Sequence, residues 1–216
     1  MTHLSRDLRP WLRDLPLIAI LRGITPADAE GAVDTLDAAG WRVVEVPLNS
    51  PDALETLRRM VKRGKDHLGD RLLIGAGTVL TVDQVAAIAA AGARLMVAPN
   101  CNPDVIRAAK ARGMITAPGV ATPTEAFAAL DAGADALKMF PGELLPPPAV
   151  KAWRAVLPPE TLLLPVGGVA PDNIAAYMKA GANGFGIGTS VYKPGMTIAE
   201  MAARAKALAD AFRNAH

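Results

Sequence analysis

Apolar residues gather in eight short runs separated by longer segments of helical periodicity. The runs are Leu17–Gly23, Val43–Asn49, Leu72–Val79, Leu95–Asn100, Met114–Val120, Ala136–Pro141, Leu162–Val169 and Gly184–Tyr192. Each has the length of a strand, and the Ala-rich segment after each has the spacing of a helix with one buried face. The joins carry helix-start chemistry. Thr25-Pro26, Ser50-Pro51, Asn102-Pro103 and Thr122-Pro123 each place a capping side chain before a proline suited to the first helical turn. Thr81 with Gln84, and Thr122 with Glu125, have capping-box spacing. Gly40, Gly92, Gly113, Gly133 and Gly181 stand where a left-handed helix end needs glycine.

Strand followed by helix, repeated in this way, predicts a parallel sheet. Eight repeats in about 200 residues fit a closed (β/α)8 TIM barrel at the short end of its range. An open doubly wound sheet is the rival, but its G-x-G-x-x-G would follow the first strand. That strand ends instead in Leu21-Arg22-Gly23-Ile24. The expectation is therefore one α/β domain over residues 1–216. A short N-terminal helix within 1–14 carries Arg6, Asp7, Arg9, Trp11 and Arg13 at amphipathic spacing, and the barrel occupies 15–216.

Composition narrows the function. The 216 residues are 51% apolar, too rich for a disordered chain. Lys+Arg 23 against Asp+Glu 21 gives +2, no electrostatic footprint for nucleic acid. Leu15–Leu21 and Val85–Ala91 are too short to cross a bilayer, and the N-terminus lacks the apolar centre of an export signal. With the lone Cys101 unable to form an internal disulfide, the expected compartment is the cytoplasm, away from membranes. His3, His67 and His216 show no metal-ligand spacing, so neither a metal nor a cofactor is expected.

In such a barrel the chemistry sits at the carboxyl ends of the strands. Lys138 lies in Ala136-Leu137-Lys138-Met139-Phe140-Pro141 and Glu45 in Val43-Val44-Glu45-Val46-Pro47. Strand alternation sends Leu137, Met139, Val44 and Val46 to the helix layer and turns Lys138 and Glu45 inward. A structural ion pair is one reading, although desolvation makes such pairs poor sources of stability. The other is catalytic. Lowering a Lys pKa by about three units makes roughly a quarter of it neutral at pH 7, and a neutral amine attacks a ketone to form a Schiff base.

Arg22 closes the first strand and is either solvated or a two-point carboxylate ligand. Val166-Gly167-Gly168-Val169, before a helix begun by Pro171, and Gly184-Phe185-Gly186-Ile187-Gly188-Thr189-Ser190 follow strands seven and eight. Glycine there serves packing, or it bares backbone amides for a phosphate, with a helix N-terminus adding favourable charge and Thr189 a hydroxyl. Gly75-Ala76-Gly77-Thr78 and Ala98-Pro99-Asn100 complete the rim, where small residues leave room for substrate or fit the barrel taper. Phe140 and Pro99 wall a pocket or belong to the core.

At these motifs the chain resembles the 2-keto-3-deoxy-6-phosphogluconate and -phosphogalactonate aldolase family, pyruvate-forming class I enzymes. The similarity runs from about Leu15 to the last helix. It rests on Ile20-Leu21-Arg22-Gly23, Val44-Glu45-Val46-Pro47-Leu48-Asn49-Ser50, Gly75-Ala76-Gly77-Thr78-Val79-Leu80, Ala136-Leu137-Lys138-Met139-Phe140-Pro141 and Val166-Gly167-Gly168-Val169. Asn49 and Val166, where gluconate enzymes typically have Arg and Thr, resemble the galactonate branch. Thr189 stands where Ser is usual, and Pro146-Pro147-Pro148 is an unusual rim segment.

The resemblance implies Lys138 as Schiff-base former and Glu45 as proton shuttle. It further implies carboxylate binding by Arg22 and Thr78, phosphate contacts at Gly167, Gly168, Gly188 and Thr189, and a homotrimer. The ligands implied are a phosphorylated 2-keto-3-deoxy sugar acid, pyruvate and glyceraldehyde 3-phosphate. The gluconate epimer or 4-hydroxy-2-oxoglutarate is an alternative substrate, and a silent phosphosugar-binding barrel is an alternative from another class.

Overall fold

A computed structural model describes residues 7–69 and 71–214. Arg6, His3 and His216 lie outside the described residues. The expected N-terminal helix is four residues long, α1 (Arg9–Leu12). Then follow β1 (Leu17–Ile20), α2 (Ala29–Ala38), β2 (Val43–Pro47), α3 (Ala53–Leu68), β3 (Leu73–Gly77) and α4 (Val82–Ala90). The chain continues through β4 (Leu95–Val97), α5 (Pro103–Ala111), β5 (Ile115–Ala117), β6 (Gly119–Val120), α6 (Pro123–Asp131) and β7 (Ala136–Met139). A 3-10 turn (Gly142–Leu144) leads to α7 (Pro147–Arg154), β8 (Leu162–Pro165), α8 (Ile174–Ala180), β9 (Phe185–Ile187) and α9 (Ile198–Asn214).

Every strand pairing is parallel. A six-stranded sheet runs β5-β4-β3-β2-β1-β9, and a three-stranded sheet runs β6-β7-β8. The fifth apolar run, expected as one strand, is split at Pro118. Proline has no amide to donate to a ladder, while the Pro118 carbonyl accepts from Lys138 N at 2.9 Å. Beside it, a Cβ on Gly119 would lie 2.3 Å from the Pro99 backbone, so only glycine fits where the two segments cross. The sheets touch at both margins: Asp135 N donates to Thr116 O at 3.1 Å, and Val166 bridges Gly186 in parallel sense.

The alternation read from sequence is visible in two separate apolar clusters. Ala19, Val44, Val46, Ala76, Leu137 and Met139 pack with the helices. Ile18, Val43, Leu73, Leu95, Ala136 and Leu164 form a second cluster on the opposite strand face, joined by Leu8 and by Leu12 of α1. Burial on both faces explains why the strands read as nearly continuous apolar runs.

The helix signals divide instructively. Thr81 and Thr122 form the expected capping boxes, Asn102 caps α5, and the five helix-ending glycines all have positive φ. Ser50 and Thr25 do not cap. The Ser50 hydroxyl accepts from Gly23 N at 2.8 Å, and α3 starts after Asp52. The Thr25 hydroxyl donates to Asp28, and α2 starts at Ala29. Tertiary and turn contacts took both oxygens. Pro146-Pro147-Pro148 starts a helix: Pro146 is the N-cap of α7, and Pro147 opens its first turn.

Candidate active site

Lys138 and Glu45 are the only Lys and Glu in the described buried core, at 6% and 1% exposure. β7 and β2 hold them by register. Lys138 lies opposite Gly119 and Leu164, and Glu45 opposite Ile20 and Gly75. Both line one small void with Ile18, Ile20, Val97, Ala117, Leu164, Val166 and Gly186. The strands bring together two residues that lie 93 positions apart in the chain.

That setting is apolar, and it moves both groups toward their uncharged forms. Burial pushes the Glu45 carboxyl up to about 7, against the opposing charges of Lys138 and then Arg22. Burial pushes the Lys138 ammonium below its ordinary range; Glu45 opposes this and Arg22 reinforces it. Lys138 Nζ also sits 4.9 Å from the centroid of the Phe140 ring. Glu45 Oε2 is buried without a hydrogen-bond partner, which is costly to maintain unless a ligand or reaction uses it.

Gly77 makes the Glu45 position available. A Cβ on Gly77 would lie 1.9 Å from Glu45 Oε2. A Cβ on Gly75 would lie 2.4 Å from Leu95 O. The small residues of the third strand therefore make room for the Glu45 carboxylate and for strand β4. The next residue, Thr78, has φ +56. Left-handed backbone at a non-glycine residue costs roughly 1–2 kcal/mol, and neighbours must hold it there. Here they do: Gly77 O accepts from Leu48 N at 2.8 Å, and Val79 N donates to Val97 O at 3.2 Å.

Lys138 also forms the floor of an open cavity of about 430 Å³. Its walls include Arg22, Phe140, Gly167, Gly168, Gly188 and Thr189, so six other residues singled out in the sequence converge there. Arg22 is exposed, and its guanidinium donates to Asn49 Oδ1. Val191 N and Tyr192 N both donate to Gly188 O, at 2.9 and 3.1 Å, closing one helical turn. In such a turn the Thr189 and Ser190 amides precede the first internal donors and are free for an anion. Gly167 and Gly168 follow one another at φ +102 and +64.

Three expectations need correction. Pro99 does not wall this cavity, because its backbone is packed against Gly119. Thr78 is at the end of β3 but does not line it. The helix expected to start at Pro171 spans Ile174–Ala180, and its N-cap Asn173 donates to Gly168 O at 2.8 Å. Sequence reading also missed Glu143, Ser190 and Val166 as wall residues, and Asn49 as the acceptor for Arg22. Ser190 had a usable signal, since it adjoins Thr189 in the same glycine-rich exit. Glu143 had none, because only tertiary packing sets it against Gly167. Among the described residues, no three metal-ligating side chains cluster.

Comparison with known proteins places this geometry in a family. The family model "KDPG and KHG aldolase" matches residues 8–211. The chain is 47% identical over 205 residues to the 2-dehydro-3-deoxy-6-phosphogalactonate aldolase of Escherichia coli, covering 95% of this chain and 98% of that one. It is 35% identical over 167 residues to the 2-dehydro-3-deoxy-phosphogluconate aldolase of Pseudomonas aeruginosa, covering 77% and 72%. A solved structure described as native KDPGal superposes with a TM-score of 0.90 at 46% identity, over 95% of this chain and 98% of that one.

Proposed function

The chain belongs to the KDPG and KHG aldolase family, and from that premise we propose that it cleaves 2-dehydro-3-deoxy-6-phospho-D-galactonate to pyruvate and D-glyceraldehyde 3-phosphate through a Schiff base on Lys138. One observation carries the reading. A lysine and a glutamate face one apolar void, the lysine displaced by burial toward its neutral form and the glutamate brought to about 7, where it can both take and return a proton.

The neutral Lys138 amine attacks the C2 ketone, and loss of water gives the iminium. Glu45 carboxylate takes the C4 hydroxyl proton, and the C3–C4 bond electrons flow into the iminium. This releases the aldehyde and leaves an enamine. Glu45, now protonated, returns a proton to C3, and water hydrolyses the resulting iminium to pyruvate and free Lys138. A group that both takes and returns a proton works best with a pKa close to the operating pH, and about 7 meets that requirement.

Arg22, oriented by Asn49, holds the substrate carboxylate. Gly167, Gly168, Gly188 and Thr189 take the phosphate, and Phe140 walls the cavity beside Lys138. The galactonate epimer is supported by the higher identity to the galactonate enzyme, and by Asn49 and Val166, which resemble that branch. We read the two sheets as one closed (β/α)8 ring within a single domain. The Val166–Gly186 bridge and the Asp135–Thr116 hydrogen bond support closure. A homotrimer is carried over from the family resemblance and a cytoplasmic setting rests on the lone Cys101, while exposed Leu80, Val82 and Phe127 offer apolar surface for subunit contact.

Borohydride reduction in the presence of pyruvate tests the chemistry. Mass spectrometry should find the adduct on Lys138, and Lys138→Ala should lose it; binding without trapping would make this a silent phosphosugar module. Faster cleavage of the gluconate epimer than of the galactonate epimer would overturn the substrate assignment. Sedimentation equilibrium reads the assembly directly.

A further inference from the structure

The phosphate end of the cavity already contains an anionic side chain. Glu143 is the second residue of the 3-10 turn Gly142–Leu144, and it lines the same cavity as Lys138, Gly167, Gly168 and Thr189. Its carboxylate lies on the glycine turn: a Cβ on Gly167 would be 2.5 Å from Glu143 Oε2, and one on Gly168 would be 3.1 Å from Glu143 Cγ.

This position is imposed by packing. Gly142 N donates to Val166 O at 2.7 Å, and a Cβ on Gly142 would lie 2.4 Å from Gly167 O. The 3-10 turn and the Gly167–Gly168 turn thus meet backbone to backbone, with no side chain between them. From α8, the Tyr177 hydroxyl is 3.3 Å from Gly142 O and 3.4 Å from Leu145 O, the acceptors on either side of the turn. The base of Glu143 is fixed while its carboxylate, exposed on the cavity wall, is free to swing. Among the described residues, no ion pair forms on that carboxylate.

We propose that Glu143 is a specificity-determining residue that occupies the glycine cradle when it is empty and must be displaced by the substrate phosphate. The inference rests on the phosphate-binding role given to Gly167 and Gly168 above. Two anions cannot share so short a backbone turn without strong repulsion. Net phosphate affinity is therefore the cradle's own affinity reduced by the displacement of Glu143. The carboxylate restrains product and free phosphate from holding the site, at the expense of a higher KM.

The test uses Glu143→Gln, which keeps the shape and removes the charge. Inorganic phosphate, assayed as a competitive inhibitor of cleavage, should bind about three- to tenfold more tightly to the variant. The KM for the phosphorylated substrate should fall by a similar factor, with the gain in KM rather than kcat. Condensation of pyruvate with unphosphorylated glyceraldehyde should show no such gain, since no phosphate competes. Glu143→Asp, which retains the charge one methylene back, should lie between. A phosphate inhibition constant that is unchanged or raised in Glu143→Gln would overturn the proposal while leaving pyruvate trapping on Lys138 intact. Failure of trapping in the unaltered protein would overturn the aldolase reading instead.

Discussion

Replacing Glu45 with Gln should abolish cleavage and yet stabilise the protein above neutral pH. The cause is the burial of a carboxyl group at 1% exposure with one oxygen unpartnered. Unfolded, the group loses its proton near 4.5; folded, near 7. Between those values the folded chain binds more protons than the unfolded one, so stability falls as pH rises through that window. At about 1.4 kcal/mol per pH unit, the full cost above pH 7 is about 3 kcal/mol. That value is already net of the attraction from Lys138 and Arg22, which holds the Glu45 pKa down.

A glutamine never ionises and escapes this cost, although its amide must find partners in an apolar void and Lys138 loses a counter-charge. The expected net gain is therefore about 1–3 kcal/mol at pH 8. Urea unfolding of both proteins at pH 5 and pH 8 measures it, at matched protein concentration. The variant should match the unaltered protein near pH 5 and exceed it at pH 8, with about 2–4 °C in Tm for each kcal/mol. A gap of the same size at both pH values would refute the argument, for it would show that Glu45 is not the titrating group.

The same ionisation should govern the rate: kcat/KM for cleavage should rise with pH through about 7 as Glu45 becomes the base, and a profile flat from pH 6 to 8 would assign the proton to another group. Gly77→Ala should expel the Glu45 carboxylate, because the new methyl lies 1.9 Å from Oε2; at least a tenfold loss in kcat and about 1–3 kcal/mol of destabilisation are expected by steady-state kinetics and urea unfolding. Asn49→Ala removes the acceptor that orients Arg22; the KM for pyruvate in the condensation direction should rise about three- to tenfold. Thr122→Ala removes the capping box of α6, which lines neither cavity; it should cost about 0.5–2 kcal/mol of stability while leaving KM values alone.

Much of the catalytic arrangement was legible in the chain itself. Period-two alternation marked Lys138 and Glu45 as inward-facing charges among aliphatic residues, and the opposing faces of β2 and β7 separate as that alternation requires. Local chemistry likewise located the capping boxes of α4 and α6 and the glycine ends of the helices, because each depends on residues a few positions apart. Tertiary structure decided what depends on contacts between distant segments. It diverted Ser50 from a cap to the Gly23 amide, divided the fifth run at Pro118 beside Gly119, and used Gly77 to seat Glu45. It also set Glu143 against Gly167, 24 residues further along the chain. Periodicity reports which face a side chain takes, since that follows from the geometry of a single strand or helix. Which atoms then meet depends on how separate elements close on one another, and only the folded chain specifies that.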